Sequence, residues 1–141
     1  DDIMADDYLK SLELAFQDKS IDVVRYAFLY FYEDKNSAKR QSMSCAHGTF
    51  AITKQYFQKK IGGFMPYKVA MDTEFKHRSE RIGVRQIVIR KPLFLRRIHS
   101  ESLTRRVDTG IGSEYRKRIV AEATDIKRRY INPVFGEYTE I

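Results

Sequence analysis

An α/β fold, with a mixed sheet flanked by helices, is predicted by three features of the 141-residue sequence. Residues 21–32 form a run of β-branched and aromatic residues, which is typical of a buried strand. Residues 114–130 place apolar side chains on one face of a long helix whose other faces are basic. Shorter helical and strand patterns alternate along the rest of the chain, as they do where helices cover a sheet.

The first part of the chain is predicted to contain a helix, a strand and a short apolar segment. Residues 6–16 begin with two aspartates and continue with leucine and phenylalanine at helical spacing, which indicates a capped amphipathic helix. Residues 21–32 follow as the buried strand, and the polar residues 33–41 form a predicted loop. A short apolar stretch comes next, at residues 50–52.

Glycines end the next two predicted helices. Thr53 is the predicted N-cap of a helix that ends at Gly62-Gly63, because a glycine after a helix readily adopts the left-handed conformation. Asp72 is the predicted start of another helix, which ends at Gly83.

The last third of the sequence predicts two strands and a helix. Residues 84–90 alternate around isoleucines and form a strand, which Pro92 is expected to end because proline lacks a backbone N–H. Residues 93–98 form another strand. The helix at residues 114–130 carries its apolar face on Tyr115, Ile119, Ala123, Ile126 and Tyr130.

The composition indicates one domain with a hydrophobic core and an excess of positive charge. A hydrophobic share of 43% argues against disorder, and the length is too small for two independent domains. The net charge of +7 requires an anionic partner, and nucleic acid, acidic lipid and phosphorylated small molecules all qualify. The single cysteine, Cys45, excludes an internal disulfide, and we predict a cytoplasmic location.

Asp72 is the candidate general base. The dipole of a helix stabilises a negative charge at its N-terminus, and the glycines at residues 62–63 let the preceding loop approach a ligand closely. A carboxylate in this position can accept the proton of a hydroxyl group as that group attacks. The alternative is that Asp72 only caps its helix. Glu74 also has two interpretations, because it could orient an acceptor or pair with Arg78 four residues later.

His99 is the candidate metal ligand, since it follows the predicted strand at residues 93–98. A neutral imidazole together with carboxylate oxygens suits Mg²⁺ or Mn²⁺. The alternative is a hydrogen-bonded histidine with a structural role only. Four arginines flank His99 in the sequence, at Arg96, Arg97, Arg105 and Arg106. They suit bidentate contacts to phosphate, and the alternative is that they only form a basic surface.

Five short segments, read in order, resemble one protein family. They are Asp1-Asp2-Ile3-Met4-Ala5-Asp6-Asp7-Tyr8-Leu9, His47-Gly48-Thr49-Phe50, Gly62-Gly63-Phe64, Met71-Asp72-Thr73-Glu74-Phe75 and Arg97-Ile98-His99-Ser100-Glu101-Ser102-Leu103-Thr104. Together they are similar to the C-terminal, acceptor-side half of family 2 glycosyltransferases of the GT-A fold, starting within the Asp-x-Asp motif. Met71 departs from the family pattern, which usually has glutamate there.

The resemblance implies a partial GT-A, Rossmann-like sheet over residues 1–110 and a helical C-terminal extension over residues 111–141. The implied parent enzyme is inverting and metal-dependent, and transfers a sugar from a nucleotide-diphosphate donor to a hydroxyl of a saccharide or lipid-linked saccharide. The family's nucleotide-binding half is missing from the sequence, so we expect a fragment that is inactive alone.

The resemblance also assigns roles to individual residues. Asp72 is expected to be the catalytic base, and Asp1, Asp2 and His99 are expected to bind Mn²⁺ or Mg²⁺. Substrate contacts are expected from Gly48, Gly63, Glu74, Arg97, Ser102 and Thr104.

Two other functions fit the basic composition. One is a small nucleic-acid-binding module, but the basic residues are spread over several elements and we predict no nucleic-acid partner. The other is peripheral membrane contact through the basic helix at residues 114–130, which is compatible with glycosyl transfer. Strands missing from the sheet would leave an edge unpaired, which favours a homo-oligomer.

Overall fold

The computed structural model describes residues 2–32, 41–42 and 47–129. The chain forms two compact units, each assembled from two separate segments. The first unit comprises residues 1–52 and 85–100, and the second comprises residues 53–84 and 101–141. Most of the predicted loop at residues 33–41 lies outside the described residues.

The first unit is built on a mixed sheet of five strands. The strands are β1 (Ile3–Met4), β2 (Val23–Tyr32), β3 (Gln41–Ser42), β4 (Phe50–Ile52) and β5 (Gln86–Ile98). β5 lies between β1 and β2, and β2 also pairs with β3 and β4. Only the β2–β5 pair is parallel among these pairings. The predicted α/β class is therefore confirmed at the level of a mixed sheet with helices.

β5 is one continuous strand, so the prediction of two strands separated by Pro92 is wrong. Its register against β2 shifts on both sides of the Ala27–Pro92 pair, which marks a bulge. The ladder of hydrogen bonds is already interrupted at a bulge, so proline is accommodated there without ending the strand.

One helix, α1 (Tyr8–Ala15), packs on this sheet. Leu12 is buried against Val24, Tyr26 and Leu93, whereas Leu9, which the sequence placed on the same apolar face, is 74% exposed. Asp7, from the Asp6-Asp7 pair predicted to begin the helix, occupies the N-cap position, but its side chain makes no capping hydrogen bond. Its carboxylate accepts hydrogen bonds from the Ser11 hydroxyl and the Lys91 ammonium instead of a helix amide, and the bond from Lys91 lowers its pKa.

Tyr26 is a buried tyrosine in the core of the first unit. Its hydroxyl lies 3.0 Å from that of Tyr8, and the two rings meet edge to face. Burial and this hydrogen bond raise the pKa of Tyr26 well above its ordinary value. The phenol is therefore held in its neutral form.

The second unit is helical. It contains α2 (Lys54–Tyr56), which continues as a π-helical turn (Phe57–Ile61), and the longer helices α3 (Met71–Arg81) and α4 (Glu114–Arg129). The predicted signals at both ends of the first helical segment are confirmed. The Thr53 side chain accepts a hydrogen bond from the Tyr56 amide, and Gly62 is left-handed with a φ of 73°.

α4 packs against the segment that leads into α3. Ile119 forms a buried cluster with Val69 and Ala70, and Tyr67 donates a hydrogen bond to Glu122. Ala123 is also buried, as its helical spacing predicts, while the side chains of Ile126 and Tyr130 lie outside the described residues. Within the described ranges, no helix is long and apolar enough to cross a membrane.

Candidate functional site

Asp72 is the second residue of α3, and its side chain is half-buried. Ala70 occupies the N-cap position, so α3 begins one residue before the predicted start and Asp72 is not its N-cap. One carboxylate oxygen of Asp72, Oδ1, accepts a hydrogen bond from the Thr73 amide at 2.9 Å. A negative charge here lies within the first helical turn, where unpaired amides and the helix dipole stabilise it.

Ala70 has a left-handed backbone, with a φ of 58°, and is buried. An L-residue other than glycine is disfavoured in this conformation by about 1–2 kcal/mol. The conformation is maintained because Val69 and Ile119 pack around Ala70 and its carbonyl accepts hydrogen bonds from the Thr73 and Glu74 amides. The start of α3, and with it Asp72, is thus fixed by packing against α4.

Glu74 and Arg78 form a buried ion pair, which confirms the predicted i,i+4 pairing. Both side chains are 1% exposed, and the guanidinium binds the two carboxylate oxygens at 2.7 and 2.8 Å. A bidentate geometry of this kind is the strongest form of the pair. The substrate contact expected of Glu74 stays a prediction, and any such role would be exerted from a buried carboxylate that Arg78 already holds.

Arg78 also anchors the Gly62-Gly63 turn. Its guanidinium donates hydrogen bonds to the carbonyl oxygens of Ile61 and Gly63, the latter at 2.7 Å. Gly62 and Gly63 both have positive φ angles, and Phe64 next to them is 39% exposed and packs on Phe75 of α3. One buried arginine therefore ties the glycine turn to the helix that carries Asp72.

In the first unit, Asp2 and His99, two of the three residues proposed as metal ligands, lie at the same end of the β1–β5 pair. Ile3 lies opposite Leu95, and Oδ1 of Asp2 accepts a hydrogen bond from the Arg97 amide at 2.8 Å. His99 follows β5 directly, two residues beyond Arg97. Asp2 and His99, which are 97 positions apart in the sequence, are thus brought to the same end of the sheet. Asp1 lies outside the described residues.

A complete metal site is not present among the described residues, since no group of three or more histidine, cysteine, aspartate or glutamate side chains is close enough to hold an ion. Asp2 and His99 have the oxygen and imidazole donors that Mn²⁺ or Mg²⁺ would accept. One oxygen of Asp2 is already engaged by the Arg97 amide. These two side chains do not by themselves make a metal site.

Gly48 lies in a short turn that precedes β4 in the first unit. The turn is attached to β2, because Arg25 donates a hydrogen bond to the His47 carbonyl and the Tyr26 amide donates one to the Thr49 carbonyl. Gly48 itself is exposed. The expected substrate contact at Gly48 would therefore come from a solvent-facing turn.

Ser102 and Thr104 lie in the second unit, at the start of a closed loop. The Ser102 carbonyl accepts hydrogen bonds from the amides of Arg105 and Arg106, and the Thr104 carbonyl accepts one from Ile111. Their expected substrate contacts stay predictions.

Arg116 of α4 stabilises this loop, a role that no motif in the sequence indicated. Its guanidinium donates hydrogen bonds to the carbonyls of Leu103 and Thr109, at 3.2 and 2.7 Å. Arg116 resembles Arg78 in this respect, because both arginines bind backbone carbonyls. Neither pattern leaves a signal at fixed sequence spacing.

Positive charge is concentrated in the second unit. Its residues 53–84 and 101–141 contain 15 lysines and arginines against 10 aspartates and glutamates, a net charge of +5. Residues 1–52 and 85–100 contain 11 against 9, a net charge of +2. An open cavity of about 370 Å³ lies at the start of α4, beside Tyr115, whose ring is covered by the Arg118 guanidinium.

No protein-family model matches the chain, and no curated protein is similar to it at a significant level.

Proposed function

We propose that the chain is the acceptor-side part of an inverting glycosyltransferase of the GT-A fold. The observation that carries the proposal is the position of Asp72, a half-buried carboxylate in the first turn of α3. The same unit contains a glycine turn tied to that helix by the Glu74–Arg78 pair. A base for a hydroxyl acceptor needs both a fixed carboxylate and a backbone that lets the acceptor approach.

In the proposed reaction, Asp72 removes the proton of the acceptor hydroxyl while its oxygen attacks the anomeric carbon of the donor sugar. The bond between that carbon and the nucleoside diphosphate breaks, and the configuration inverts. The Thr73 amide holds Oδ1 of Asp72 at 2.9 Å, which leaves Oδ2 as the atom that receives the proton. Removal of such a base typically slows turnover by about a hundredfold or more.

The proposal includes a nucleotide-sugar donor, a saccharide or lipid-linked saccharide acceptor, and Mn²⁺ or Mg²⁺ as the cofactor. Asp2 and His99 are the described residues that would hold the metal, joined by Asp1. The metal would stabilise the negative charge of the departing diphosphate. Arginine side chains near the end of β5, such as Arg97, would add to this stabilisation.

The test is release of nucleoside diphosphate from a panel of nucleotide sugars, measured with the natural gene product that contains this chain. We expect metal-dependent release that falls by about a hundredfold or more in Asp72→Asn. The matched control is Asp6→Asn, which removes an exposed aspartate near the start of α1 and should leave turnover unchanged. Turnover by Asp72→Asn equal to that of the Asp6→Asn control would reject Asp72 as the base.

Nucleic-acid binding is a second candidate, because +5 of the chain's net charge of +7 lies within the second unit. A module of this kind binds single-stranded oligonucleotides with a strong dependence on salt. Titration of the 141-residue chain with such oligonucleotides at several salt concentrations tests it. Salt-sensitive micromolar binding would favour this candidate, whereas its absence would leave glycosyl transfer as the better proposal.

A further inference from the structure

A closed loop in the second unit presents aliphatic side chains to solvent. The Val107 loop, defined here as residues 103–111, exposes 96% of Val107, 81% of Ile111 and 45% of Leu103. Val107 and Ile111 are more exposed than any other large hydrophobic residue in the described part of the chain. Single exposed aliphatic residues are common, but three within nine residues form a concentrated apolar feature.

Hydrogen bonds hold the backbone of this loop in one conformation. The Ile111 amide bonds to the Thr104 carbonyl, which closes the loop at its base, and the Thr109 hydroxyl bonds to the Leu103 carbonyl. Thr109 is buried, and the Arg116 guanidinium holds the Leu103 and Thr109 carbonyls. The backbone of the loop is therefore ordered before a partner binds, which lowers the entropy cost of binding.

Cationic side chains stand beside the exposed aliphatic residues. Arg105 and Arg106 precede Val107 directly, and both are exposed. Asp108 brings a negative charge into the loop, where Arg106 lies 3.3 Å and Lys68 3.8 Å from it. Desolvation acts to raise the pKa of Asp108, but the charges of Arg106 and Lys68 outweigh it and the pKa lies below its ordinary value. Asp108 is therefore ionised, and it offsets part of the positive charge of the loop.

This combination of residues favours a lipid surface over a nucleic acid. Single-stranded nucleic acid is bound by aromatic rings on which bases stack, and the exposed residues of the Val107 loop are aliphatic. Aliphatic side chains next to arginines suit the boundary between headgroups and acyl chains, where the apolar groups are buried and the cations meet lipid phosphates. The net charge of +5 in the same unit complements an anionic bilayer.

We propose that the Val107 loop docks the protein on the surface of an anionic lipid bilayer, with Val107 and Ile111 entering the headgroup region and Arg105 and Arg106 contacting lipid phosphates. The proposed contact lies in the loop before α4, whereas the contact through the basic helix at residues 114–130 stays a prediction. The proposal does not depend on glycosyl transfer, so its test does not require an active enzyme.

The test is co-sedimentation of the 141-residue chain with vesicles. Vesicles of phosphatidylcholine with about one-third phosphatidylserine should bind the chain at least about tenfold more strongly than vesicles of phosphatidylcholine alone. The double variant Val107→Ser/Ile111→Ser should lose at least about tenfold in binding, because each methylene group moved into lipid contributes about fourfold. The matched control is Leu9→Ser/Leu14→Ser in the first unit, which removes aliphatic side chains that are 74% and 65% exposed.

Charge variants test the electrostatic part of the proposal. Removing arginines from the loop should weaken binding, and removing its aspartate should strengthen binding. Arg105→Gln/Arg106→Gln should weaken binding to the anionic vesicles by at least about tenfold, whereas Lys10→Gln/Lys19→Gln, with the same change in net charge, should weaken it less. Asp108→Asn should strengthen binding by about fivefold, since it removes the negative charge from the loop.

Three results would overturn the proposal. The first is no binding to anionic vesicles, and the second is equal binding by the Val107→Ser/Ile111→Ser variant and its Leu9→Ser/Leu14→Ser control. The third is a change of oligomeric state in Val107→Ser/Ile111→Ser by size-exclusion chromatography with light scattering, because the loop would then form a protein interface.

Discussion

Replacing Arg78 with methionine should destabilise the second unit more than any exposed substitution on α3. The guanidinium is buried and donates to both oxygens of Glu74 and to the carbonyls of Ile61 and Gly63. Methionine keeps much of the aliphatic stem but leaves a buried carboxylate and two carbonyls without donors. Breaking a buried pair costs about 3–5 kcal/mol, and each unsatisfied carbonyl adds about 1–3 kcal/mol. We expect a loss of at least about 4 kcal/mol, a large part of the stability of a typical domain.

A double-mutant cycle isolates the ion pair from the carbonyl contacts. The cycle uses Arg78→Met, Glu74→Gln and the double variant, with the free energy of unfolding measured by urea denaturation and circular dichroism. The matched control is the Lys76–Glu80 pair, which has the same i,i+4 spacing on the same helix but side chains that are 26% and 28% exposed. Its coupling energy should be about 0.3–0.5 kcal/mol, against at least about 2 kcal/mol for the buried pair.

Equal coupling energies in the two cycles would refute the argument that burial strengthens the Glu74–Arg78 pair. If Arg78→Met does not fold, Arg78→Lys provides the measurement, because lysine keeps the charge but cannot bind both oxygens and both carbonyls at once. An Arg78→Lys variant as stable as the natural chain would also contradict the reasoning.

Three further predictions concern other parts of the chain. Because the pKa of Tyr26 is raised in the folded state, its contribution to stability is present below pH 10 and is lost as the pH rises further. Above pH 10, the free energy of unfolding of the natural chain, measured in urea, should fall relative to that of Tyr26→Phe by up to about 1.4 kcal/mol per pH unit. The same pH dependence in both proteins would contradict this. A Cβ on Gly110 would clash with the Arg106 carbonyl oxygen, so Gly110→Ala should accelerate amide exchange at Ile111. Gly83→Ala strains the backbone locally, because Gly83 has a φ of 81°, but its Cβ meets open space, so exchange at Ile111 should not change. In the natural gene product, His99→Ala should raise the Mn²⁺ concentration needed for half-maximal activity and leave the melting temperature unchanged; a lower melting temperature with an unchanged metal requirement would indicate a structural histidine.

Helix ends were predictable where the signal is local. Thr53 and Gly62 act through atoms within a few residues, so their types alone indicate the cap and the stop. The start of α3 was misplaced because Ala70 has no intrinsic preference for a left-handed backbone. Its conformation depends on packing against Ile119, which is distant in sequence. The predicted strand end at Pro92 was wrong for a similar reason, because a register shift against the distant strand β2 accommodates the proline.

The sequence indicated which residues could belong to the candidate site, but not all of the contacts that those residues make. The position of Asp72 near a helix start and the Glu74–Arg78 pair follow from short spacings in the sequence. The carbonyl contacts of Arg78 and Arg116 do not, because a backbone carbonyl offers the same acceptor at every position. The roles assigned by resemblance, including that of Asp72, stay predictions.

The arrangement of β2 beside β5 has a consequence for how the chain folds during synthesis. The hydrogen bond between Asp22 and the Arg85 amide, where this pairing begins, joins residues 63 positions apart, and that between Asp2 and the Arg97 amide joins residues 95 apart. The ribosome therefore releases β2, with its five aromatic residues, well before its parallel partner has been translated. Until β5 emerges, β2 can pair only with the short strands β3 and β4, and its other edge stays open, which is the kind of edge that aggregates or recruits chaperones. Slower growth at low temperature should therefore increase the soluble yield of the chain, and a version ending at residue 84 should be recovered mainly in aggregates.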